Sequence, residues 1–333
     1  MRSDAVRPTS VVQHETWGRR QVPPSEQVRP GVWAIPIPVH SIPIRFTYCY
    51  LVIADAGCLL IDTGAASDEG VEALEAGLRS AGVLLSDVVG IVVTHFHFDH
   101  WESADRVAEA AGAWVAMGEQ EQAWVDTLTD TALSVEAAIS RLRDVGVPAD
   151  TAHALAQGED YRYTRDHVRP ARLLRDGAYV PVDGTRLRVL WTPGHTPGHI
   201  CLHDEERGLL FSGDHVLPRI TPHIALNPFG ASDPLGQYVD ALSRVACACP
   251  DVEVLPAHEY RFAGLAARAD ELTDEIEQRL HEVRVLATAE PTATPWQIAQ
   301  RLTWSRPWAE FSANAQRMAL VETLSFLKYR STT

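Results

Sequence analysis

The chain alternates between short apolar runs and amphipathic stretches, and the two periods predict its elements. Residues 1–30 are polar and punctuated by proline, so they read as an arm outside the core. The ordered pattern starts with "GVWAIPIP" at Gly31. "FTYCYLVIADAGCLLIDTG" is two β-rich runs separated by the turn "ADAG", a hairpin signal. "SDEGVEALEAGLRSAG" predicts a helix, with Ser67 as N-cap and Gly82 just past its end. "DVVGIVVTHF" reads as a buried strand, "ADRVAEAAG" as a short helix and "AWVAM" as another strand. Residues 119–176 carry helical periodicity and no clear strand, and read as a helical insertion. Strands resume with "TRLRVLWTPG", "HICLHD" and "GLLFSGD", followed by the helix "DPLGQYVDALSRVA" and the strand "VEVLPAHEY". The stretch 263–333 is almost wholly helical from Leu265 onward. Each sheet must hide an apolar face, so this order predicts an α/β core over 31–262, with two β-layers flanked by helices.

At 333 residues, the chain fits one large domain or a core domain with an appendage. Hydrophobic residues at 46% and charged residues at 22% are ordinary globular values. The net charge of −15 disfavours nonspecific nucleic-acid binding. The nearest approach to a basic run is "WGRRQ", with Arg19 and Arg20, and Lys328 is the only lysine. The five cysteines are odd in number and lack C-x-x-C spacing, which predicts buried or free thiols in a reducing compartment. With no signal-like apolar region and no run approaching a membrane span, the expectation is a cytoplasmic protein.

One stretch changes this picture. "THFHFDH", Thr94 to His100, follows directly on an apolar strand. His95 and His97 lie two apart and project from one side of an extended chain. Asp99 and His100 follow where the chain turns, with a helix expected near Trp101 or Glu102. Two imidazoles on one side, then a carboxylate and a third imidazole, could feed two neighbouring metals. Neutral histidine with aspartate suits Zn²⁺, and also Fe or Mn. Further candidates end other apolar strands. "TPGHTPGH" offers His195 and His199, "FSGDH" offers Asp214 and His215, and "LPAH" offers His258.

"THFHFDH", "TPGHTPGH", "SGD" and "PAH", in this order, resemble the metallo-β-lactamase superfamily over about residues 31–262. The resemblance implies a four-layered αββα sandwich. It implies one metal on His95, His97 and His195, a second on Asp99, His100 and His258, and Asp214 between them. Asp62 in "LLIDTG" matches an aspartate that orients a metal-binding histidine. His199 matches a position that is not normally a ligand, and His215 is assigned no metal.

The function so implied is a dinuclear, zinc-type hydrolase. A metal-bridging hydroxide would attack an ester, thioester or lactone, with Asp99 orienting it and carrying a proton to the leaving group. True zinc β-lactamases of the best-known group carry cysteine where Asp214 stands, which sets that activity aside. The diiron flavoproteins carry glutamate where His97 stands. Glyoxalase II holds its glutathione moiety with basic residues of a C-terminal helical region, and this tail, with Lys328 its one lysine, offers no clear equivalent, which lowers that reading. An iron-dependent persulfide dioxygenase and a nuclease remain as alternatives. The tail resembles the winged-helix appendage of lactamase-like hydrolases, and could equally pack on the core or on a second subunit of a homodimer. The expected partner is a small molecule, largely apolar, with neither membrane nor nucleic acid involved. Its pocket is expected to draw on His40, Phe46, Trp124, Tyr161, Tyr163, His215, His223 and Phe229.

Overall fold

The apolar runs pair into two sheets whose strands are numbered here in chain order. The computed structural model describes residues 5–40, 44–130, 135–156, 170–227 and 230–330. The first sheet runs β2 (Glu26–Arg29), β3 (Val32–Pro38), β4 (Phe46–Ala54), β5 (Gly57–Ile61), β6 (Val88–Val92), β7 (Trp114–Gly118) and β8 (Arg172–Leu174). The second runs β1 (Arg7–Pro8), β13 (Phe262–Ala263), β12 (Glu253–Pro256), β11 (Leu209–Gly213), β10 (Ile200–Asp204) and β9 (Leu187–Trp191). β4 and β5 form the expected antiparallel hairpin, whereas β5 to β8 pair in parallel.

β4 shows why the sheets stack. Its Phe46, Tyr48, Tyr50 and Val52 face the second sheet, where they meet Leu202, Phe211 and Leu255. Its Cys49 and Leu51 point the other way, so the strand is apolar on both faces. The outer face of the first sheet is covered by α2 (Asp68–Ser80), α4 (Ala104–Ala111) and α5 (Glu119–Asp130), through Leu74, Leu78, Val107 and Val125. Gly77 lets α2 settle on β3, since a Cβ there would fall 2.4 Å from the Ile35 side chain. The outer face of the second sheet is covered by α8 (Pro234–Ala248) and α9 (Leu265–Ala289), through Tyr238, Leu242, Leu272 and Ile276. The result is the expected αββα sandwich.

Three segments depart from the reading of the sequence. The segment expected to be an arm over 1–30 is, in its described part from residue 5, woven into both sheets: β1 pairs with β13, β2 pairs with β3, and α1 (Val11–Gly18) lies between them in the chain. The attachment is polar, which is why apolar periodicity misses it. The buried Arg261 guanidinium donates to Glu253 at 2.5 Å and to Glu26 at 2.7 Å, and Gln13 accepts the Arg261 backbone N–H at 3.0 Å. The helix after the histidine motif, α3 (Phe98–Trp101), starts earlier than expected, so Asp99 and His100 lie on it.

The insertion is helical over α6 (Val135–Asp144) and α7 (Ala149–Ala156), then adds β8 to the sheet. It shares one core with the tail, since Leu142, Val147, Ala152 and Leu155 pack with Trp296 of α10 (Pro295–Ala299) and Leu320 of α11 (Ala313–Lys328). From residue 264 onward the described residues include no strand, so no wing accompanies these helices. No helix among the described residues is long and apolar enough to cross a membrane.

Replacing the fully buried Leu320 by alanine should cost about 2–5 kcal/mol. Denaturant unfolding checks the size of the loss. Limited proteolysis should show α6 and α7 cut faster, because they lose part of the core they share with the tail.

Candidate metal centre

The motif histidines and aspartates gather where the strands end. β6 leads into His95 and His97, β9 into His195, β11 into Asp214 and β12 into His258, while α3 presents Asp99 and His100. The His95 Nε2 lies 3.0 Å from His97 Nδ1, which lies 2.9 Å from His195 Nε2. Asp214 Oδ2 stands 3.4 Å from the same His195 nitrogen. One donor atom from each of these four residues falls within 4.8 Å of the others. Asp99, His100 and His258 form a second such group. Asp99 Oδ2 is 3.6 Å from His100 Nε2 and 3.5 Å from His258 Nε2. Asp214 reaches both groups, because its Oδ1 is 3.2 Å from His258 Nε2 and 3.7 Å from His100 Nε2. The six other than His97 are buried.

The outward nitrogens set the chemistry of the inward ones. His100 Nδ1 donates to Asp62 at 2.8 Å, His195 Nδ1 to the His223 carbonyl at 2.9 Å, and His258 Nδ1 to the Phe46 carbonyl at 3.1 Å. The Thr94 hydroxyl donates to Asp62, so it accepts from His95 Nδ1 at 3.1 Å. In each neutral ring the inward Nε2 is therefore a bare lone pair. Lone pairs of His95 and His195 then crowd His97 Nδ1, which can donate to only one of them. The His100 and His258 Nε2 atoms and Asp214 Oδ1 are buried without a hydrogen-bond partner. Unpaired nitrogen and carboxylate donors in this arrangement fit divalent cations of the zinc type.

The electrostatics of the two groups differ. Burial, and then neighbouring imidazoles, hold His95 and His97 well below the usual histidine range, and burial lowers His195 too. Burial opposes charge at His100 as well, but the carboxylates of Asp99, Asp214 and Asp62 outweigh it and lift His100 to about 10. Burial would raise Asp214, yet His258 and His100 pull it well below the carboxylate range. The second group is thus the one that calls most strongly for positive charge.

A layer of buried polar residues holds the donors in place. Asp62 sits in the left-handed region at φ 59° and accepts the Thr94 N–H at 2.7 Å as well as His100. His199 Nε2 accepts the Asp214 backbone N–H at 3.1 Å, which keeps this ring one step behind the donors. The Thr47 hydroxyl donates to Asp99 Oδ2 at 3.0 Å.

Glu121 escapes sequence reasoning altogether. Its buried carboxylate accepts from the Phe96 N–H at 2.9 Å, the Thr196 hydroxyl at 2.9 Å and the Gly198 N–H at 2.7 Å. It therefore ties the loop of His95 and His97 to the loop of His195. Burial raises its pKa to about 7 despite those three hydrogen bonds. A Cβ at Gly198 would fall 1.9 Å from the Glu121 backbone nitrogen, so the contact needs glycine there. The only local signal is an acidic residue in the first turn of a helix, which ordinarily means solvent.

Beside the donors opens a cavity of about 380 Å³, lined among others by Phe96, Trp124, Leu217, His223, Met318 and Val321. Trp124 and His223, both named from the sequence, lie on this wall. His40 does not reach the wall: it pairs at the surface with Glu69 at 2.7 Å. His215 is buried and stacks edge-on with Tyr238, with ring centroids 5.2 Å apart, away from the cavity lining. Tyr161, Tyr163 and Phe229 lie outside the described residues. Met318 and Val321 come from α11, so the tail helps to build the cavity.

The sequence profile of the metallo-beta-lactamase superfamily matches residues 42–258. The chain belongs to that superfamily. As a member, it is a metal-dependent hydrolase. It is 28% identical over 270 residues to the protein named probable metallo-hydrolase YqjP of Bacillus subtilis, covering 76% of this chain and 79% of that one. It is 33% identical over 179 residues to acyl-coenzyme A thioesterase MBLAC2 of Gallus gallus, where the match spans 50% of this chain and 56% of the relative. Among solved structures, a metallo-beta-lactamase family protein from Thermus thermophilus superposes with a TM-score of 0.75 at 28% identity, over 91% of this chain and 93% of the other.

Replacing Glu121 by alanine should loosen both histidine loops and lower metal retention by about 10–100-fold. Metal content after dialysis against graded chelator measures this directly.

Proposed function

We propose that this superfamily member holds two metal ions, zinc in the first instance, and hydrolyses an ester-like bond of a small, largely apolar molecule. A thioester is the foremost candidate. The observation that carries the reading is the set of seven donors facing inward beside an apolar cavity. His95, His97 and His195 would hold one ion, Asp99, His100 and His258 the other, and Asp214 would touch both. Such a pair supplies a water of lowered pKa at neutral pH and polarises a carbonyl.

The protein's own residues do the rest. Asp99, fixed by the Thr47 hydroxyl, faces His100 and His258 and is placed to orient the attacking water and to pass a proton to the leaving group. Phe96, Trp124, Met318 and Val321 exclude water from the acyl portion. The relative named as an acyl-coenzyme A thioesterase supports the thioester choice. Free cysteines, four of them buried, support a reducing, cytoplasmic setting.

The test is a panel of acyl thioesters, lactones, a β-lactam and a phosphodiester, offered to zinc-loaded protein with metal content measured on the same sample. Thioester cleavage with two ions per chain is expected; one iron per chain with oxygen uptake on a persulfide would replace the reading. Asp99→Asn should lower kcat by about 10²–10⁴-fold, the usual weight of a positioned proton carrier. Asp214→Ala should lose metal and turnover together. Loading zinc into demetallated protein should release protons near pH 7, because His100 must give up the proton that its raised pKa retains. Apparent zinc affinity should accordingly weaken as pH falls. Calorimetry in two buffers of different ionisation enthalpy reads both effects.

A further inference from the structure

A second cavity, of about 440 Å³, meets the first at His258, Ile44 and Ile220, which line both. Its chemistry is different. Arg20, Arg45 and the indole of Trp17 contribute to its wall, and Glu259 is its one carboxylate among the described lining residues. The Arg219 guanidinium lies 4.3 Å from the Trp17 ring centre, adding a cation behind that wall. In a chain of net charge −15 this is a local gathering of positive groups.

Arg45 is half-buried and Arg20 exposed, and two features bear on their role. Neither makes an ion pair with another described residue, whereas the adjacent Arg19 is paired with Glu15 at 2.9 Å. Arg20 is also held in the left-handed region at φ 62°, an unfavourable conformation for a residue with a Cβ. The turn after α1 fixes it there, with the Arg20 N–H donating to the Trp17 carbonyl at 2.9 Å. The backbone thus holds this arginine on the wall.

We infer that the second cavity seats the anionic carrier of the substrate, so that the enzyme acts on acyl thioesters whose thiol partner bears phosphate or carboxylate groups. The inference rests on the thioester reading of the metal site and extends it. The acyl chain occupies the apolar cavity, the carrier occupies the cavity of Arg20 and Arg45, and the scissile carbonyl lies between them beside His258. In the reaction, the water oxygen bonds to the acyl carbon and the carbon–sulfur bond breaks. The electron pair leaves on sulfur, which takes up a proton and stays with the carrier. Guanidinium groups suit the task because their paired N–H donors match both phosphate and carboxylate.

The test compares butyryl-coenzyme A, butyryl-glutathione and uncharged butyryl-N-acetylcysteamine on the metal-loaded enzyme. At least one anionic carrier should exceed the uncharged one in kcat/KM by about tenfold or more, the weight of a single charge-assisted contact. Arg20→Ala/Arg45→Ala should cut that ratio about tenfold, and added salt should cut it too. Arg19→Ala should preserve it. Which anionic substrate responds separates a phosphate-bearing from a carboxylate-bearing carrier. A wild-type ratio near unity, or a ratio that the double variant leaves intact, overturns the inference. Calorimetric binding of free coenzyme A and free glutathione judges the seat without turnover. Binding that weakens about tenfold in the double variant supports it, and binding of neither overturns it. If no butyryl thioester is cleaved but a carrier still binds through these arginines, the thioester reading fails and the anion seat stands.

Discussion

Lone pairs that face one another across a few ångströms repel, and this chain arranges its centre around such a repulsion. Acceptors behind His95, His195, His100 and His258 turn their Nε2 atoms inward; those of His95 and His195 are bare lone pairs, His100 keeps its proton until a metal displaces it, and Asp214 lies among them with two oxygens. Left alone, the rings would turn away. They are held by groups that themselves sit in costly states: Asp62 in the left-handed region, and Glu121 buried as a carboxylate with three donors. Unfavourable conformations of this kind persist where the surrounding structure over-determines them. A cation turns the repulsion into attraction, which makes metal uptake and structural order one process.

The parts that were legible in the sequence share a property. Each shows as an abrupt change of residue type at the end of a periodic run, as where "GIVV" gives way to "THFHFDH" or "VEVLP" to "AH". Helix α2 was legible for a similar reason, since Ser67 caps it and accepts from the Gly70 N–H at 2.9 Å. Contacts between segments remote in the chain leave no such mark. Arg261 with Glu26 and Glu253, and Glu121 with Phe96 and Gly198, are polar residues in polar-looking stretches. The face of α11 that meets the cavity looks like any amphipathic helix until its neighbours are known. His40 and His215 show the converse, because a histidine near a motif in sequence can still point to solvent or into a core.

The αββα core and the segments around it divide the labour. The sandwich supplies every donor from strand ends and the short turns that follow them, where small shifts are resisted by two packed sheets. Trp17, Trp124 and Met318, which wall the cavities, come from the N-terminal segment, the insertion and the tail. Walls of this kind can vary without touching the donors, which is how one hydrolytic centre can serve many substrates on a common fold. The insertion's helices α6 and α7 share a core with the tail through Trp296 and Leu320, and Leu320 lies on the same helix, α11, as Met318 and Val321.

The placement of α11 has a consequence for how the molecule comes into being. On the ribosome, the loop of His95 to His100 emerges long before His258, and Met318 and Val321 emerge later still. A nascent chain therefore carries an incomplete set of inward-facing donors and an open apolar floor while synthesis continues. Contacts this distant in sequence form slowly, and the exposed floor is a surface on which misassembly can start. The cavity is bounded on this side only once α11 packs down. The same residues that wall the cavity thus also end the period in which the chain is vulnerable.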